Sequence, residues 1–327
     1  MNKYYKSLPN NFPMKKVIVL LGPTGVGKTS ASLLLAQALG TEIISSDSMQ
    51  LYRHMDIGTA KPSISERSIV KHHMIDVVEP CESYSTGRYI EEVKPIISAL
   101  HNSNKLPLIV GGTGLYIKAM TRGIFHGPSA DKDLREALLK MEIEEPGCLY
   151  RQLHSIDSVA AAAIMPADVR RIVRALEVCF TGEKSMSAMQ AGHTERLPYD
   201  YIKIGLKRER AELYCMIDKR VEAMIEQGLV DEVKQVIAAI REHHKGPVTE
   251  LSSLQAIGYK ELILHIDGNL SLPEAVEVIK KRSRNYAKRQ LTWFRKEEGI
   301  NWVDITGIYE SALIGKKVID LVESASR

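Results

Sequence analysis

The chain has 327 residues, with 44 Lys and Arg against 40 Asp and Glu, a formal charge of +4, and 44% hydrophobic and 26% charged residues. This balance suits a globular protein of roughly two domains, and it excludes a disordered chain, a collagen-like repeat and a disulfide scaffold. Cys81, Cys148, Cys179 and Cys215 are widely scattered and form no CxxC pair or Cys/His cluster, so they read as isolated thiols of a reducing compartment rather than zinc ligands.

The N-terminus, MNKYYKSLPNNFPMKK, lacks the apolar core of a signal peptide, and no apolar run reaches the roughly 18 residues that span a bilayer. A cytoplasmic protein without a membrane anchor is expected. The first element is the strand Lys16–Leu21, a continuous apolar run of the kind buried on both faces of a sheet. A glycine-rich turn follows, then a helix over about Lys28–Leu39 with Gly40 in the capping position. A second strand, Glu42–Ser46, completes a βαβ unit and so implies a parallel sheet with right-handed crossovers. Another helix, about Thr86–Asn102, leads to a third strand, Leu106–Val110, which ends in Gly111-Gly112-Thr113-Gly114.

From Gly123 the texture changes: a linker-like stretch gives way to Ala- and Leu-rich amphipathic patterns such as DVRRIVRALEVCF. The expected organisation is a doubly wound α/β core over 14–122, an inserted helical subdomain over 123–198, and the rest of the core over 199–327. That last part opens with a strand at Tyr201–Lys207 and continues with helices near Glu209–Gln227, Val230–Glu242 and Pro273–Glu297.

Gly22-Pro23-Thr24-Gly25-Val26-Gly27-Lys28-Thr29 matches G-x-x-x-x-G-K-[ST] between a strand and a helix. Glycines let the backbone N–H groups converge on phosphate oxygens, and the helix N-terminus adds partial positive charge. Lys28 would reach the terminal phosphate, and the Thr29 hydroxyl would ligate Mg²⁺. The core is thus expected to be P-loop NTPase-like. Such enzymes normally carry an apolar strand ending in Asp to organise Mg²⁺ and water; here the strand ends in Gly-Gly-Thr-Gly. Hydrolysis of a γ-phosphate is poorly provided for, which leaves open a diphosphate held for another purpose.

Asp47, at the end of the second strand, falls where open α/β sheets bind ligands. Its carboxylate could ligate Mg²⁺, act as a base, or cap a helix. Thr113 could open a helix or turn its hydroxyl into the same crevice. The adjacent His72 and His73 read as polar loop residues, since neighbouring positions point different ways. Lys280–Lys296 contains eight Lys and Arg, no acid, and interleaved Tyr286, Trp293 and Phe294. A one-signed run without acidic partners favours a polyanion over a merely solvated face. Arg170, Arg171 and Arg174 add a second basic stripe, and two such surfaces suit a folded RNA.

Several blocks carry a family resemblance: GPTGVGKT, Asp47-Ser48-Met49-Gln50-Leu51-Tyr52, Asp56-Ile57-Gly58-Thr59-Ala60-Lys61-Pro62, Val110–Tyr116, Arg174–Glu177, Gly258-Tyr259 and Ala287–Trp293. In this order, over nearly the whole chain, they resemble the bacterial tRNA dimethylallyltransferases; DIGTAKP and AKRQ-x-TW are the distinctive ones, and residues before about 14 look like an extension. The resemblance implies transfer of a dimethylallyl group from its diphosphate to N6 of the adenosine just 3′ of a tRNA anticodon, by a protein free of membranes. In that scheme the phosphate loop, Thr29 with Mg²⁺ and Arg220 hold the diphosphate, and Asp47 takes a proton from the adenine amine. Thr113 stands beside the reacting groups. The tRNA contacts implied are Asp47, Ser48, Met49, Gln50, Thr113, Arg135, Arg170, Arg171, Arg174, Gln255, Gly258, Tyr259, Lys260, Lys288 and Arg289. The chain would act as a monomer on the anticodon stem-loop. A P-loop small-molecule or nucleotide kinase and an RNA-binding NTPase are the alternative readings.

Overall fold

The computed structural model describes residues 16–125, 127–182, 184–192 and 196–326. The N-terminal extension expected before residue 14 lies outside the described residues. The elements are β1 (Lys16–Leu21), α1 (Lys28–Leu39), β2 (Ile43–Ser46), α2 (Ile64–Ile69), β3 (His72–His73), α3 (Thr86–Asn102), β4 (Leu108–Gly111), α4 (Gly114–Arg122), α5 (Lys132–Glu144), α6 (Cys148–Ile156), α7 (Ser158–Ala163), α8 (Val169–Thr181), α9 (Met186–Ala191), β5 (Asp200–Lys207), α10 (Arg210–Glu226), α11 (Leu229–His243), α12 (Tyr259–Ile266), α13 (Leu272–Phe294), β6 (Ile300–Asp304) and α14 (Ser311–Ser326). No described helix is long and apolar enough to cross a membrane.

Two compact units result. One joins the described residues up to Ile117 with those from Pro198 onward; the other is Lys118–Leu197. The division falls inside α4, a few residues before the linker expected from Gly123.

In the first unit the strands form one parallel sheet in the order β3-β2-β4-β1-β5-β6. Residues Val17–Leu21 of β1 have no exposure at all, as a central strand covered on both faces requires. Ile18 and Leu20 share a core cluster with Leu35 and Ala36 of α1 and with Ile314, Val318 and Val322 of α14. Sequence patterning gave neither β6 nor α14. β6 alternates weakly (INWVD), and α14 is recognisable mainly by its packing on α1. β3 takes His72 and His73, expected in a loop, into the sheet edge, where His73 Nε2 lies 2.7 Å from Glu42.

The second unit is all helical. Leu138, Leu149, Leu153, Ile172, Val173 and Leu176 form its core. Asp131, Asp157, Asp168 and Ser185 each accept a backbone N–H at the start of α5, α7, α8 and α9, the caps that let short helices persist.

Candidate active site

The parallel register explains why distant motifs meet. Leu21 and Ser46 both pair with Gly111, so the loops after β1, β2 and β4 begin side by side at the C-terminal edge of the sheet. These loops, with α10 and α13, line a cavity of about 720 Å³ that takes in Lys28, Thr29, Asp47, Arg220, Tyr286 and Gln290.

The phosphate loop has the conformation its glycines permit. Gly27 sits at φ 107° and starts α1 without any side-chain cap, so the first helical N–H groups are left for a ligand. Lys28 Nζ folds back and donates to the carbonyls of Gly22 and Pro23, both at 2.9 Å. From α10, Arg220 Nη1 donates to the Thr24 hydroxyl at 3.2 Å.

Asp47 does not cap a helix. Its Oδ1 accepts the Met49 N–H at 2.9 Å and so shapes the turn that follows β2. Thr113 precedes α4, but its Oγ1 reaches across to accept the Ser48 N–H at 3.0 Å, while its own N–H donates to the Ser46 carbonyl at 3.1 Å. The β2 and β4 loops are therefore laced together at the residues flanking Asp47.

Electrostatics agree with an anion site. Burial pulls the Lys28 ammonium down to about 8, opposed by the Asp47 carboxylate and reinforced by Arg220. Burial also lowers Arg220, with Asp47 again opposing. Two desolvated cations thus share one carboxylate, which leaves the loop with uncompensated positive charge. Thr29 lines the same cavity, and among the described residues no group of three His, Cys, Asp or Glu could hold a metal. A hydroxyl beside a single carboxylate fits Mg²⁺, which keeps water and phosphate oxygens in most of its shell.

The other residues anticipated from sequence divide into two sets. Ser48, Met49, Gln50, Gln255, Gly258 and Arg289 line the cavity, and Lys260 and Lys288 are exposed. Tyr259, anticipated at the RNA surface, is instead fully buried, its hydroxyl donating to Glu232 at 2.5 Å. In the helical unit Arg170 and Arg171 are exposed, whereas Arg135 and Arg174 both engage Glu177, whose side chain has no exposure. Burial alone would raise that carboxyl, but the two arginines outweigh it and hold it below its ordinary range.

The basic run on α13 is also partly neutralised. Arg284 binds Asp218 through two 2.6 Å contacts, Lys280 meets Glu222 and Glu277, and Arg282 pairs with Glu261. The expectation of a run without acidic partners is thereby corrected. Glu277 lies one turn before Lys280 on α13 itself, just outside the run, and the other acids come from α10 and α12.

Three functional side chains escaped the sequence reading. Gln290 accepts the Thr24 N–H at 2.8 Å and donates to the Gly112 carbonyl at 2.9 Å. Glu232 accepts the N–H groups of Asp56, Ile57 and Gly58 at 2.9, 2.7 and 3.0 Å, and a Cβ at Gly58 would drive into the Tyr259 ring. Lys61, 1% exposed in its side chain, binds the Tyr52 carbonyl, Asp56 and Asp76. The DIGTAKP and AKRQ blocks were visible as signals, but their hydrogen-bond partners lie far away in sequence.

The fold and the loop define a P-loop-like α/β protein whose loop opens onto a cavity, with no acidic residue at the end of β4. Residues 50–297 match the IPP transferase family and residues 15–77 match isopentenyl transferase; the chain belongs to the IPP transferase family. It is 51% identical over 304 residues to the tRNA dimethylallyltransferase of Thermodesulfovibrio yellowstonii, covering 93% of this chain and 96% of that one. It is 46% identical over 290 residues to that of Syntrophobacter fumaroxidans, covering 88% and 83%. Among solved structures, the tRNA isopentenylpyrophosphate transferase of Bacillus halodurans superposes with a TM-score of 0.69 at 39% identity, over 95% of this chain and 97% of that one. A eukaryotic dimethylallyltransferase caught acting on tRNA gives 0.80 at 30% identity, over 95% and 80%.

Proposed function

We propose that this chain transfers a dimethylallyl group from dimethylallyl diphosphate to N6 of the adenosine 3′-adjacent to a tRNA anticodon, releasing pyrophosphate. The observation that carries the reading is one cavity holding an uncapped phosphate loop with Lys28, Arg220 and Asp47, and no acid after β4. That set suits a diphosphate leaving group and a proton acceptor better than hydrolysis of a triphosphate. Family membership supports the same reaction.

In this mechanism the loop N–H groups, Lys28 and Arg220 bind the diphosphate and stabilise the charge that accumulates on it as the allylic C–O bond breaks. Thr29 would hold Mg²⁺, whose chemistry there is further neutralisation of the leaving group. N6 forms the new bond to the allylic carbon, and Asp47 takes the proton that nitrogen gives up. Thr113, by holding the Ser48 N–H, fixes the turn that aims Asp47. The adenine leaves its stack to reach this point, with the Ser48–Gln50 turn, Gln255, Lys260, Lys288, Arg289, Arg170 and Arg171 contacting the RNA. A monomer is the working unit in this reading, and a tRNA substrate suits the cytoplasm.

The test is incubation with unmodified tRNA, Mg²⁺ and labelled dimethylallyl diphosphate. Label is expected at the adenosine beside the anticodon. Unlabelled tRNA together with ATP-dependent phosphorylation of an acceptor would replace this reading with a kinase.

A further inference from the structure

Gln290 lies on α13, is 7% exposed, and reaches two loops at once. Its Oε1 accepts the Thr24 N–H of the phosphate loop, and its Nε2 donates to the Gly112 carbonyl, immediately before Thr113. The two bonds fix the amide orientation, because one end must accept and the other must donate. A Cβ at Gly112 would collide with the Gln290 amide, so the glycine after β4 is what allows this approach. Among the described residues, the side chains hydrogen-bonded to Thr24 or Gly112 are those of Gln290 and Arg220, and Arg220 meets the Thr24 hydroxyl and not Gly112.

We propose that Gln290 is a positioning residue: its amide sets the separation of the phosphate loop from the Thr113 loop, so that diphosphate and attacking nucleophile are held in register. The role rests on the diphosphate reading above. It follows from the loops themselves. Thr24 belongs to the segment that receives the leaving group, and Thr113 is laced to the turn carrying Asp47. The strand register holds Leu21 beside Gly111, and loss of the bridge lets the segments beyond those strand ends shift; a displacement on the order of 1 Å is enough to cost about a hundredfold in rate. The same bridge spends the Thr24 N–H on Gln290 instead of on phosphate, so the anion is received by the remaining loop N–H groups, Lys28 and Arg220.

The test compares wild type with Gln290→Met and Gln290→Glu. Pyrophosphate binding by calorimetry, tRNA binding and thermal midpoints accompany the steady-state rates. Gln290→Met keeps the volume and loses both bonds. It should lower kcat by about tenfold to a hundredfold, with tRNA affinity held and pyrophosphate affinity little changed, since the freed Thr24 N–H becomes available to the anion. Gln290→Glu should be worse at neutral pH, because the carboxylate cannot donate to Gly112 and repels the diphosphate. Protonated, it reproduces the donor–acceptor pair, so its rate relative to wild type should climb as pH falls. A flat ratio across pH, or Gln290→Met with wild-type kcat, overturns the proposal. A wild-type protein that binds no pyrophosphate overturns the diphosphate reading and this role with it; that outcome is distinguished because it appears before any variant is made.

Discussion

The Arg220 guanidinium meets the Thr24 hydroxyl at 3.2 Å, which brings a cation from α10 to the rim of the phosphate loop. Lys28 is already there; burial lowers both groups, and the Arg220 charge lowers the Lys28 ammonium further. Without an anion the pair is mutually repulsive, and Asp47 relieves it only in part. Arg220→Met should therefore weaken diphosphate binding by about ten- to a hundredfold, the worth of a charge-assisted hydrogen bond, while leaving the thermal midpoint unchanged or higher. Calorimetry with pyrophosphate and a melting curve check the two halves. A variant that melts much lower would make Arg220 a scaffold residue.

Asp47→Asn should separate chemistry from binding in the opposite way. Loss of the proton acceptor should lower kcat by at least about a hundredfold, and tRNA affinity should hold within about twofold, since Asn still accepts the Met49 N–H. Pyrophosphate should bind more tightly than to wild type, because the carboxylate no longer competes for Lys28 and Arg220. A parallel fall in RNA affinity and rate would contradict the assignment.

Lys28 supplies a pH signature. Burial brings it from 10.5 to about 8, so the free protein begins to lose this positive charge near pH 8. Diphosphate affinity should decline above that value, by up to about tenfold per unit, with Lys28→Met showing no such decline. The stability contribution carries the opposite sign. A lowered folded-state value means the unfolded chain binds more protons between about 8 and 10.5, so this group's contribution to folding rises with pH across that window and is lost again as pH falls through it. Titrations at pH 7 to 9.5 on both proteins decide the point.

Glu232 accepts three successive backbone N–H groups and the Tyr259 hydroxyl. Glu232→Ala leaves four donors without their acceptor and should cost about 3 kcal/mol of stability. Tyr259→Phe removes one bond and should cost about 1 kcal/mol. Urea midpoints measure both, and equal losses would mean the ring, not the carboxylate, holds the DIGTAKP loop.

The basic helix should respond residue by residue. Lys288→Ala, at an exposed position, should weaken tRNA binding at low salt and reduce the salt dependence by about one ion. Arg284→Ala breaks a two-contact ion pair with Asp218 and should lower stability with little change in that slope. Filter binding across a salt series separates the two effects.

Much of the core could be read in advance because its signals are local. Val17–Leu21, the glycine loop, Gly40 and the end of β2 each announce themselves within a few residues, and strand–helix–strand spacing implies the parallel sheet. Asp47 and Thr113 could be placed near the loop from topology alone. What could not be read was cooperation at a distance. Gln290 lies 266 residues from Thr24, and nothing in AKRQ names its partners. Arg282 and Arg284 looked like free charge until α10 and α12 supplied acids. Arg135 and Arg174 looked like two RNA contacts, and packing gave them one buried carboxylate to share.

α14 covers the face of α1 that carries Leu35 and Ala36, and at Gly315 the two helices come so close that a Cβ would press on Leu34. α1 leaves the ribosome early and α14 only after the helical unit, β5 and the long helices have been made. At about 5–20 residues per second, the back of the phosphate-loop helix stays bare for roughly tens of seconds during each round of synthesis. Non-local closure of this kind is slow to form and exposed to aggregation while it waits. Slower translation lengthens that interval, so the rate of synthesis, and not only the strength of the finished core, bears on how the chain reaches its folded state.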